Sequence, residues 1–335
     1  MLWLSLIVIT VKTYGAGKLS ALKFGGCIGM LYYISANKVN IGDFLSNLGI
    51  RKLLGVQGIN LYCDRPYVER TKKVIRGAQS DDVFIIGGGG LFKDYFMPLW
   101  NEIYRNRKQL RYVLWGIGIN DTKRPSLKHI LSQKLMPKTI FLKKWKEIVR
   151  NSIISSFRDE NTYRYFRRMN NSFKTGYPSI NFILDHKRNL PKRMLIHSCN
   201  QYVLKDAEVE TMQKITDVLA YKLDLEKVYT NRMIKGRPEL HEWLDRYSSA
   251  HITVSSSLHG CILALSLGSK LIAVSRDWKI EGFLQTVNLE EAICNIDEIE
   301  KKAKHIELQK DVSKRIEKIK KENEYFAQEV KKLIL

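Results

Sequence analysis

The side chains best suited to holding an anion stand directly after strand-like runs of the sequence. Arg158 follows residues 152–157, and Lys279 comes shortly after residues 270–274. If these runs are strands, both cations lie near strand carboxyl ends, where a guanidinium can grip a carboxylate or phosphate with two hydrogen bonds. Arg158 could instead pair with one of the two acidic residues that follow it, so both interpretations stay open.

A serine cluster leads into the histidine of the sequence Ser257-Leu258-His259-Gly260. The pattern predicts a turn from a strand into a small-residue, apolar helix over residues 258–267. An imidazole at that position lies close to a helix N-terminus, whose dipole disfavours the protonated form unless a bound anion restores it. The alternative is a capped and hydrogen-bonded structural histidine.

Four consecutive glycines, residues 87–90, end another short β-branched run. Backbone N–H groups in a glycine turn that leads into a helix can cradle a phosphate or a carboxylate, so Gly88 and Gly89 are candidates for this role. No Walker lysine follows, and the GxGxxG fingerprint does not fit. Tight packing of a strand against a helix explains such glycines equally well.

The charge of the chain points to an anionic partner. Its 335 residues include 56 Lys and Arg against 34 Asp and Glu, a formal charge of +22. Residues 101–175 alone carry 18 basic and 5 acidic residues, a net of +13, so the excess is regional. The content of 44% hydrophobic residues and only 7 prolines excludes a disordered or collagen-like chain. Five scattered cysteines without metal-ligand spacing favour a reducing, cytoplasmic compartment without disulfides or zinc.

The elements that must position these residues alternate between strands and helices. We predict strands over residues 30–35, 82–86, 111–115, 152–157, 193–197, 250–255 and 270–274. Glycine-containing turns and helical stretches separate them, for example after residue 40. This repetition predicts an α/β fold of two Rossmann-like units with parallel sheets covered by helices.

The predicted domain limits follow from composition. Residues 1–28 form an apolar N-terminal extension, whose run of about ten apolar residues is too short to span a bilayer as a helix. It is interpreted as a buried strand or an interfacial segment, with a membrane anchor or signal and a poorly ordered extension as the alternatives. Residues 29–180 form the first Rossmann-like domain and residues 190–297 the second, with a boundary near residues 176–192. Residues 298–335 form a long amphipathic helix with one apolar stripe, interrupted by Asn323. The stripe consists of Val312, Ile316, Ile319, Phe326, Val330 and Leu333.

Six motifs, in order over roughly residues 30–290, resemble the polysaccharide pyruvyl transferase family. They are Asn40-Ile41-Gly42-Asp43, residues 82–92, Gly116-Ile117-Gly118, residues 156–160, Leu258-His259-Gly260 and residues 277–283. The resemblance implies two Rossmann-like domains facing a cleft, as in GT-B glycosyltransferases. It also implies transfer of pyruvate from phosphoenolpyruvate to a sugar of a cell-surface glycan, an exopolysaccharide or its lipid-linked precursor, forming a cyclic ketal.

The chemistry implied by the resemblance assigns roles to the residues already singled out. Arg158, Lys279 and the turn at Ser257 and Leu258 would bind phosphoenolpyruvate, which is a co-substrate, so no cofactor and no metal are expected. His259 would protonate the methylene carbon as the general acid. Asp43 would orient or deprotonate the sugar hydroxyl, or else cap the following helix.

The substrate-binding candidates are Arg158, Lys279, Ser257, Leu258, Gly88, Gly89 and Asn40.

Two departures from the family pattern bear on this assignment. The family usually has arginine at the position of Ser257, and losing a charge-assisted contact of that kind costs about 2–3 kcal/mol. Arg276 is a nearby cation that could replace it. In Gly176-Tyr177-Pro178-Ser179 the proline stands without the aspartate that often precedes it in the family.

The basic segment of residues 101–175 has two open interpretations. A lipid-linked acceptor would place a polybasic face against anionic headgroups on the inner face of the membrane, at about 1 kcal/mol per basic residue. The aromatic residues interleaved there would then lie at the interface: Trp115, Phe141, Trp145, Tyr163, Tyr165 and Phe166. Otherwise the segment is a solvated lysine-rich face.

Three other functions remain as alternatives. A nucleic-acid-binding protein fits the charge, but no helix-turn-helix, zinc or RNA-recognition signature is visible. A GT-B glycosyltransferase using a nucleotide sugar would keep the fold and change the donor. A family member that has lost activity with its arginine would serve as a binding module.

Overall fold

The structure is a computed structural model that describes residues 22–24, 27–119, 137–169, 171–201, 203–230, 233, 236–275 and 277–335. In the first half the strands are β1 (Leu22–Phe24), β2 (Cys27–Gly29), β3 (Leu31–Ser35), β4 (Ile59–Tyr62), β5 (Val83–Gly87), β6 (Arg111–Ile117), β7 (Ile154–Phe157) and β8 (Ser172–Lys174). The helices there are α1 (Ile41–Leu54), α2 (Val68–Arg76), α3 (Met97–Asn106), α4 (Pro137–Asn151), α5 (Glu160–Phe166) and α6 (Ser179–Asp185).

The second half repeats the alternation. Its strands are β9 (Met194–Ser198), β10 (Glu226–Thr230), β11 (Ala250–Ser255), β12 (Lys270–Val274) and β13 (Ile293–Cys294). Its helices are α7 (Asp206–Lys222), α8 (Arg237–Ser248), α9 (Leu258–Ser266), α10 (Trp278–Val287), α11 (Ile299–Lys304) and α12 (Ser313–Ile334).

Two parallel sheets organise these elements. The first has six strands in the order β4-β3-β5-β6-β7-β8, and the second has five in the order β10-β9-β11-β12-β13. Strands β1 and β2 pair separately and antiparallel. In each large sheet, the second strand in the chain is added on one side of the first strand, and all later strands are added on its other side. The reversal falls between β3 and β5 in the first sheet and between β9 and β11 in the second, and such switch points are where open α/β sheets bind ligands.

The seven strands predicted from apolar runs are all present. Besides β1 and β2, the strands that the sequence did not reveal are β4, β8, β10 and β13, which are the outer strands of the two large sheets. Edge strands are half-exposed and short here, and β8 contains no fully buried residue. A weak apolar signal is therefore expected at an edge, whereas interior strands of parallel sheets are buried on both faces.

A shared apolar core joins helices α1 and α6 to the second sheet and its helices. Ile41 and Leu45 of α1 and Ile180 of α6 belong to the same cluster as Leu258 of α9 and Phe283 of α10. Residues 176–192, where the sequence suggests a boundary, thus contain a helix packed into this core. The cluster fixes the helices that begin at the two switch points against one another.

The C-terminal helix α12 returns to the first sheet. Phe326 packs edge-to-face on Trp115, with ring centroids 5.0 Å apart. Asn323 does not interrupt the stripe, because it is buried in it: its Nδ2 donates to Thr175 O at 2.8 Å, and its Oδ1 accepts from Trp115 Nε1 at 3.2 Å. Leu333 was wrongly included in the stripe, since it is 49% exposed and Ile334 is buried instead.

The aromatic residues of the basic segment do not form a membrane-facing surface. Trp115, Trp145 and Phe166 are buried in the core of the first domain. Tyr163 packs against the same core and Tyr165 is exposed, while Phe141 lies outside the residues whose side chains are described. In the described ranges, none of the helices combines the length and the apolar character needed to cross a bilayer. Most of the apolar N-terminal extension falls outside those ranges.

Candidate functional site

Helix α1 begins at the switch point of the first sheet with Asn40 as its cap. The Asn40 Oδ1 accepts a hydrogen bond from Gly42 N at 3.0 Å. Asp43 therefore lies in the first turn and is not the N-cap, which corrects the capping alternative. The predicted substrate contact through Asn40 is also corrected in part, because its side-chain oxygen is engaged in the cap and satisfies a donor that the helix leaves unpaired.

The glycine loop after β5 is shaped mainly by packing. Gly88 has a φ of +81° and donates its N–H to Trp115 O at 2.9 Å. Gly118 N donates to Gly89 O at 3.1 Å, which ties the loop to the end of β6. The Gly88 amide is thus not available to cradle a phosphate, contrary to the prediction. A Cβ atom built on Gly89 would lie 2.7 Å from Asp43 Oδ1, so the loop lets the Asp43 carboxylate approach its backbone.

The switch points of the two sheets meet at His259. A Cβ atom built on Gly42 would lie 1.7–2.1 Å from three atoms of the His259 imidazole. Only a residue without a side chain leaves room for the ring at this place. The structure therefore brings His259 of the second domain against the first turn of α1, which also carries Asp43.

The turn before His259 is built from its own backbone. Ser257 is buried, and its N–H donates to Ser255 Oγ at 3.0 Å. The Leu258 side chain packs in the core between the sheets. Because the Ser257 N–H and the Leu258 side chain are engaged within the protein, the substrate contacts predicted for these two residues must use other atoms.

Arg158 and Lys279 form what we call the cationic cluster, together with Asp159 and Asp277. The Arg158 side chain is only 3% exposed, and its Nε donates to Asp159 Oδ2 at 3.3 Å. Asp159 also caps α5, since its Oδ1 accepts from Thr162 N at 2.8 Å. The local ion pair considered from the sequence is present. Even so, Arg158 Nη2 is buried and has no hydrogen-bond partner among the described residues.

Lys279 lies in the first turn of α10, beside the same group of charges. Its Nζ lies 2.9 Å from Asp277 Oδ2. Burial lowers the pKa of Lys279, and the positive charges of Arg158 and Lys93 lower it further, while Asp277 opposes the shift. Arg158 is thus close enough to Lys279 to act on its charge. An added anion would relieve their repulsion.

Two neighbours of the cluster were missed in the sequence. Lys93 follows the glycine loop and is close enough to act on the Lys279 charge. Tyr177 is 2% exposed, its ring lies 5.5 Å from the Arg158 guanidinium carbon, and its hydroxyl has no hydrogen-bond partner in the described chain. Burial raises the pKa of Tyr177, so the phenol remains neutral and able to donate. The Gly-Tyr-Pro turn was the available signal for Tyr177. Arg276, considered as a replacement for the family arginine, lies outside the described residues.

The described residues contain no group of three or more His, Cys, Asp or Glu side chains arranged to hold a metal ion. The side chains that the structure places around the facing ends of the two sheets are cations, an imidazole and a carboxylate.

This arrangement, two Rossmann-like domains whose switch points meet, defines a protein of the GT-B type. A sequence profile of the polysaccharide pyruvyl transferase family matches residues 40–277, and the chain belongs to that family. The fold class and the family resemblance predicted from the sequence are both confirmed.

Solved structures with a similar fold share little sequence with this chain. S. aureus MnaA in complex with UDP has a TM-score of 0.58 at 10% identity, covering 90% of this chain and 94% of that one. UDP-GlcNAc 2-epimerase from Neisseria meningitidis bound to UDP-GlcNAc has a TM-score of 0.58 at 9% identity, covering 90% and 99%. The Methanocaldococcus jannaschii UDP-GlcNAc 2-epimerase in complex with UDP-GlcNAc and UDP has a TM-score of 0.54 at 12% identity, covering 89% and 99%. No protein of curated function matches the sequence significantly.

Proposed function

We propose that this transferase moves pyruvate from phosphoenolpyruvate to a sugar of a cell-surface glycan or of its lipid-linked precursor, forming a pyruvate ketal. Membership of the family supports the reaction class. The donor assignment rests on the buried Arg158 Nη2, which has no partner in the described chain. Lys279, a second cation, lies near it. A buried guanidinium nitrogen without an acceptor is costly, and an anionic substrate would satisfy it.

The donor requires two kinds of anchor, since it carries a phosphate and a carboxylate. In the proposal the cationic cluster binds these groups, with Arg158 offering its Nη2, which has no partner in the described chain, and Lys279 its ammonium. Tyr177 adds a neutral hydroxyl beside the guanidinium. Ser257 stands where the family usually has an arginine. The cations that can bind the donor in the described part of the site are therefore Arg158, Lys279 and Lys93.

The proposed reaction forms two C–O bonds and breaks one. The first sugar hydroxyl adds its oxygen to C2 of phosphoenolpyruvate while the methylene C3 accepts a proton and becomes a methyl group. The C2–O bond to phosphate then breaks, and a second hydroxyl of the same sugar adds to C2 and closes the ketal. One hydroxyl proton replaces the proton given to C3, and the other leaves with phosphate.

His259 and Asp43 are the groups assigned to proton transfer. His259 donates the proton to C3 as the general acid, a role worth about 10²- to 10⁴-fold in rate. Asp43, which shares the first turn of α1 with the glycine under His259, orients or deprotonates the attacking hydroxyl. Their placement on opposite domains supports a reaction in which donor and acceptor meet between them.

We further propose peripheral binding to the inner face of the membrane through the basic segment. Its exposed cations, not its aromatic residues, would carry the contact: Arg105, Lys108, Lys143, Arg150, Arg164, Arg167 and Arg168. Each adds about 1 kcal/mol near an anionic surface. Cosedimentation with anionic vesicles at low salt, lost at high salt and absent with neutral vesicles, is the expected result. Equal binding to neutral vesicles would contradict it.

Calorimetric binding of phosphoenolpyruvate tests the proposed donor, with phosphate, pyruvate and UDP as controls at two salt concentrations. We expect phosphoenolpyruvate to bind more tightly than phosphate or pyruvate, because it offers both anionic groups to the cluster. Preference for UDP would favour a nucleotide-sugar transferase. Absence of any binding would favour a non-catalytic family member.

A further inference from the structure

A cavity lies beside α1, at the outer edge of the first sheet. It has a volume of about 110 Å³ and is lined by α1, the strands β3 and β4 and the residues just after β3. We call it the polar pocket. Its lining is Ser35, Asn37, Phe44, Asn47, Leu48, Arg51, Asn60 and Tyr62. A space of this size is several times what one water molecule needs.

Two buried polar atoms at the pocket lack partners. Ser35 is 1% exposed, and its Oγ has no hydrogen-bond partner in the described chain. The Asn60 Oδ1 is also buried without a partner there. A serine hydroxyl can donate and accept, whereas an amide oxygen only accepts. A ligand that satisfies both atoms must therefore contain donors, and hydroxyl groups meet this requirement.

The charges at the pocket argue against an anionic ligand. Arg51 is the single cation among the eight lining residues, and its Nη2 donates to Gln57 Oε1 at 2.8 Å. Its guanidinium also lies over the Tyr33 ring, with 5.5 Å between the guanidinium carbon and the ring centroid. The lining contains no acidic residue. The pocket thus differs from the cationic cluster and fits a neutral molecule.

The remaining lining combines amides with apolar surface. Asn47 and Asn60 offer both donors and acceptors, while Phe44 and Tyr62 supply aromatic groups. A neutral molecule with many hydroxyls and apolar C–H faces matches this combination. A sugar ring has that character.

The pocket lies close to the proposed catalytic carboxylate. Asn47 follows Asp43 by four residues of α1, about 6 Å along the helix axis. Asp43 also acts on Cys63, directly after β4: burial raises the pKa of that thiol, and the Asp43 charge raises it further. Asp43 and the pocket therefore share the ends of β3 and β4.

We propose that the polar pocket is a saccharide subsite that binds one neutral sugar ring of the acceptor glycan next to Asp43. The assignment of this sugar to an acceptor rests on the proposed function. Binding of a sugar to the pocket does not, and it can be measured without phosphoenolpyruvate or turnover.

The test follows the side-chain amide signals of the ¹⁵N-labelled protein by NMR. The probes are methyl β-D-glucopyranoside, methyl β-D-galactopyranoside and methyl N-acetyl-β-D-glucosaminide up to about 50 mM, a range suited to millimolar binding. Glycerol and inorganic phosphate are the controls. We expect at least one glycoside to shift the amide signals of Asn47 and Asn60 saturably, and neither control to do so.

Two variants and a matched control assign the signal. Asn60→Leu should weaken glycoside binding about tenfold or more, since it removes a buried hydrogen-bonding group. Asn47→Ala, at a half-buried position, tests the pocket in case the first variant fails to fold. Asn189→Ala changes an exposed asparagine in the segment between the two domains and should bind like the wild type.

Three outcomes would overturn the subsite. These are no saturable shift with any glycoside, a larger shift with phosphate, or unchanged glycoside binding in both pocket variants. Glycoside binding in a protein that fails to bind phosphoenolpyruvate would leave the subsite standing and remove the proposed donor. Phosphoenolpyruvate turnover without glycoside binding at the pocket would do the reverse.

Discussion

The cationic cluster and the polar pocket both contain buried polar atoms that have no partner in the described chain, but they differ in charge. The cluster contains the buried Arg158 and the half-buried Lys279, whose charges repel each other. The pocket contains neutral amides and hydroxyls, and its one cation is engaged elsewhere. A buried polar group at such a site can be satisfied by a ligand, and the charge around the group indicates the class of that ligand.

The two regions also differ in their relation to the sheets. The cluster follows β7 and β12, strands inside their sheets, whereas the pocket lies at the edge strand β4. The contact of His259 with Gly42 joins the second domain to the start of α1, the helix that lines the pocket. A two-substrate reaction needs one site for an anionic donor, another for a neutral acceptor, and a group that transfers protons between the two. Variants that affect one region and not the other test whether the molecule is divided in this way.

His259→Ala should have the largest effect, because it removes chemistry while leaving both binding regions intact. We expect the rate of phosphate release to fall by about 10²- to 10⁴-fold. The affinities for phosphoenolpyruvate and for the glycosides should stay within about twofold, as measured by calorimetry and NMR. His251→Ala, which changes a histidine paired with Glu307, is the control. A fully active His259→Ala enzyme would remove the histidine from the mechanism.

Arg158→Gln should separate the two regions most clearly. It removes a charge-assisted contact worth about 2–3 kcal/mol, so affinity for phosphoenolpyruvate should fall about 30- to 150-fold. Glycoside binding should not change. Arg164→Gln, at an exposed arginine on α5, provides the control. If Arg158→Gln bound phosphoenolpyruvate normally, the cluster would be structural.

Gly42→Ala tests whether the contact between the domains positions the imidazole. Alanine is favoured over glycine in a helix by about 1 kcal/mol, so a stabler protein is expected if the space were open. Since the new methyl group would overlap the His259 ring, we expect a lower melting temperature and about a tenfold loss of turnover. Gly77→Ala, where a Cβ atom meets nothing closer than 3.6 Å, should be harmless. A stabler and fully active Gly42→Ala protein would contradict the contact.

The sequence singled out Arg158 and Lys279 of the cationic cluster but did not predict the polar pocket, and the difference has a physical reason. Arg158 and Lys279 follow buried strands, and an apolar run that ends in a cation predicts a charge at a sheet edge. The pocket is formed by a short edge strand whose residues alternate weakly, so Asn60 stood out in no pattern. The Gly42 contact with His259 joins residues more than 200 positions apart, and no local motif encodes which glycine receives the ring. The hydrogen bond from Gly88 N to Trp115 O likewise depends on how the strands pair, which no local motif encodes.

The smallest expected effect is the pH dependence of donor binding, which the cluster should show and the pocket should not. Burial and neighbouring cations lower the pKa of Lys279 in the free protein, whereas a bound anion favours the protonated ammonium and raises that pKa. Binding therefore takes up a proton, and affinity for phosphoenolpyruvate should fall as pH rises through the lowered pKa, by less than tenfold per pH unit because one proton is involved. Calorimetric titrations at increasing alkaline pH measure this decline. In Lys279→Arg the side chain stays charged, so the decline should disappear, while glycoside binding should be independent of pH in both proteins. An equal decline in Lys279→Arg would show that another group causes the pH dependence and that Lys279 does not bind the donor.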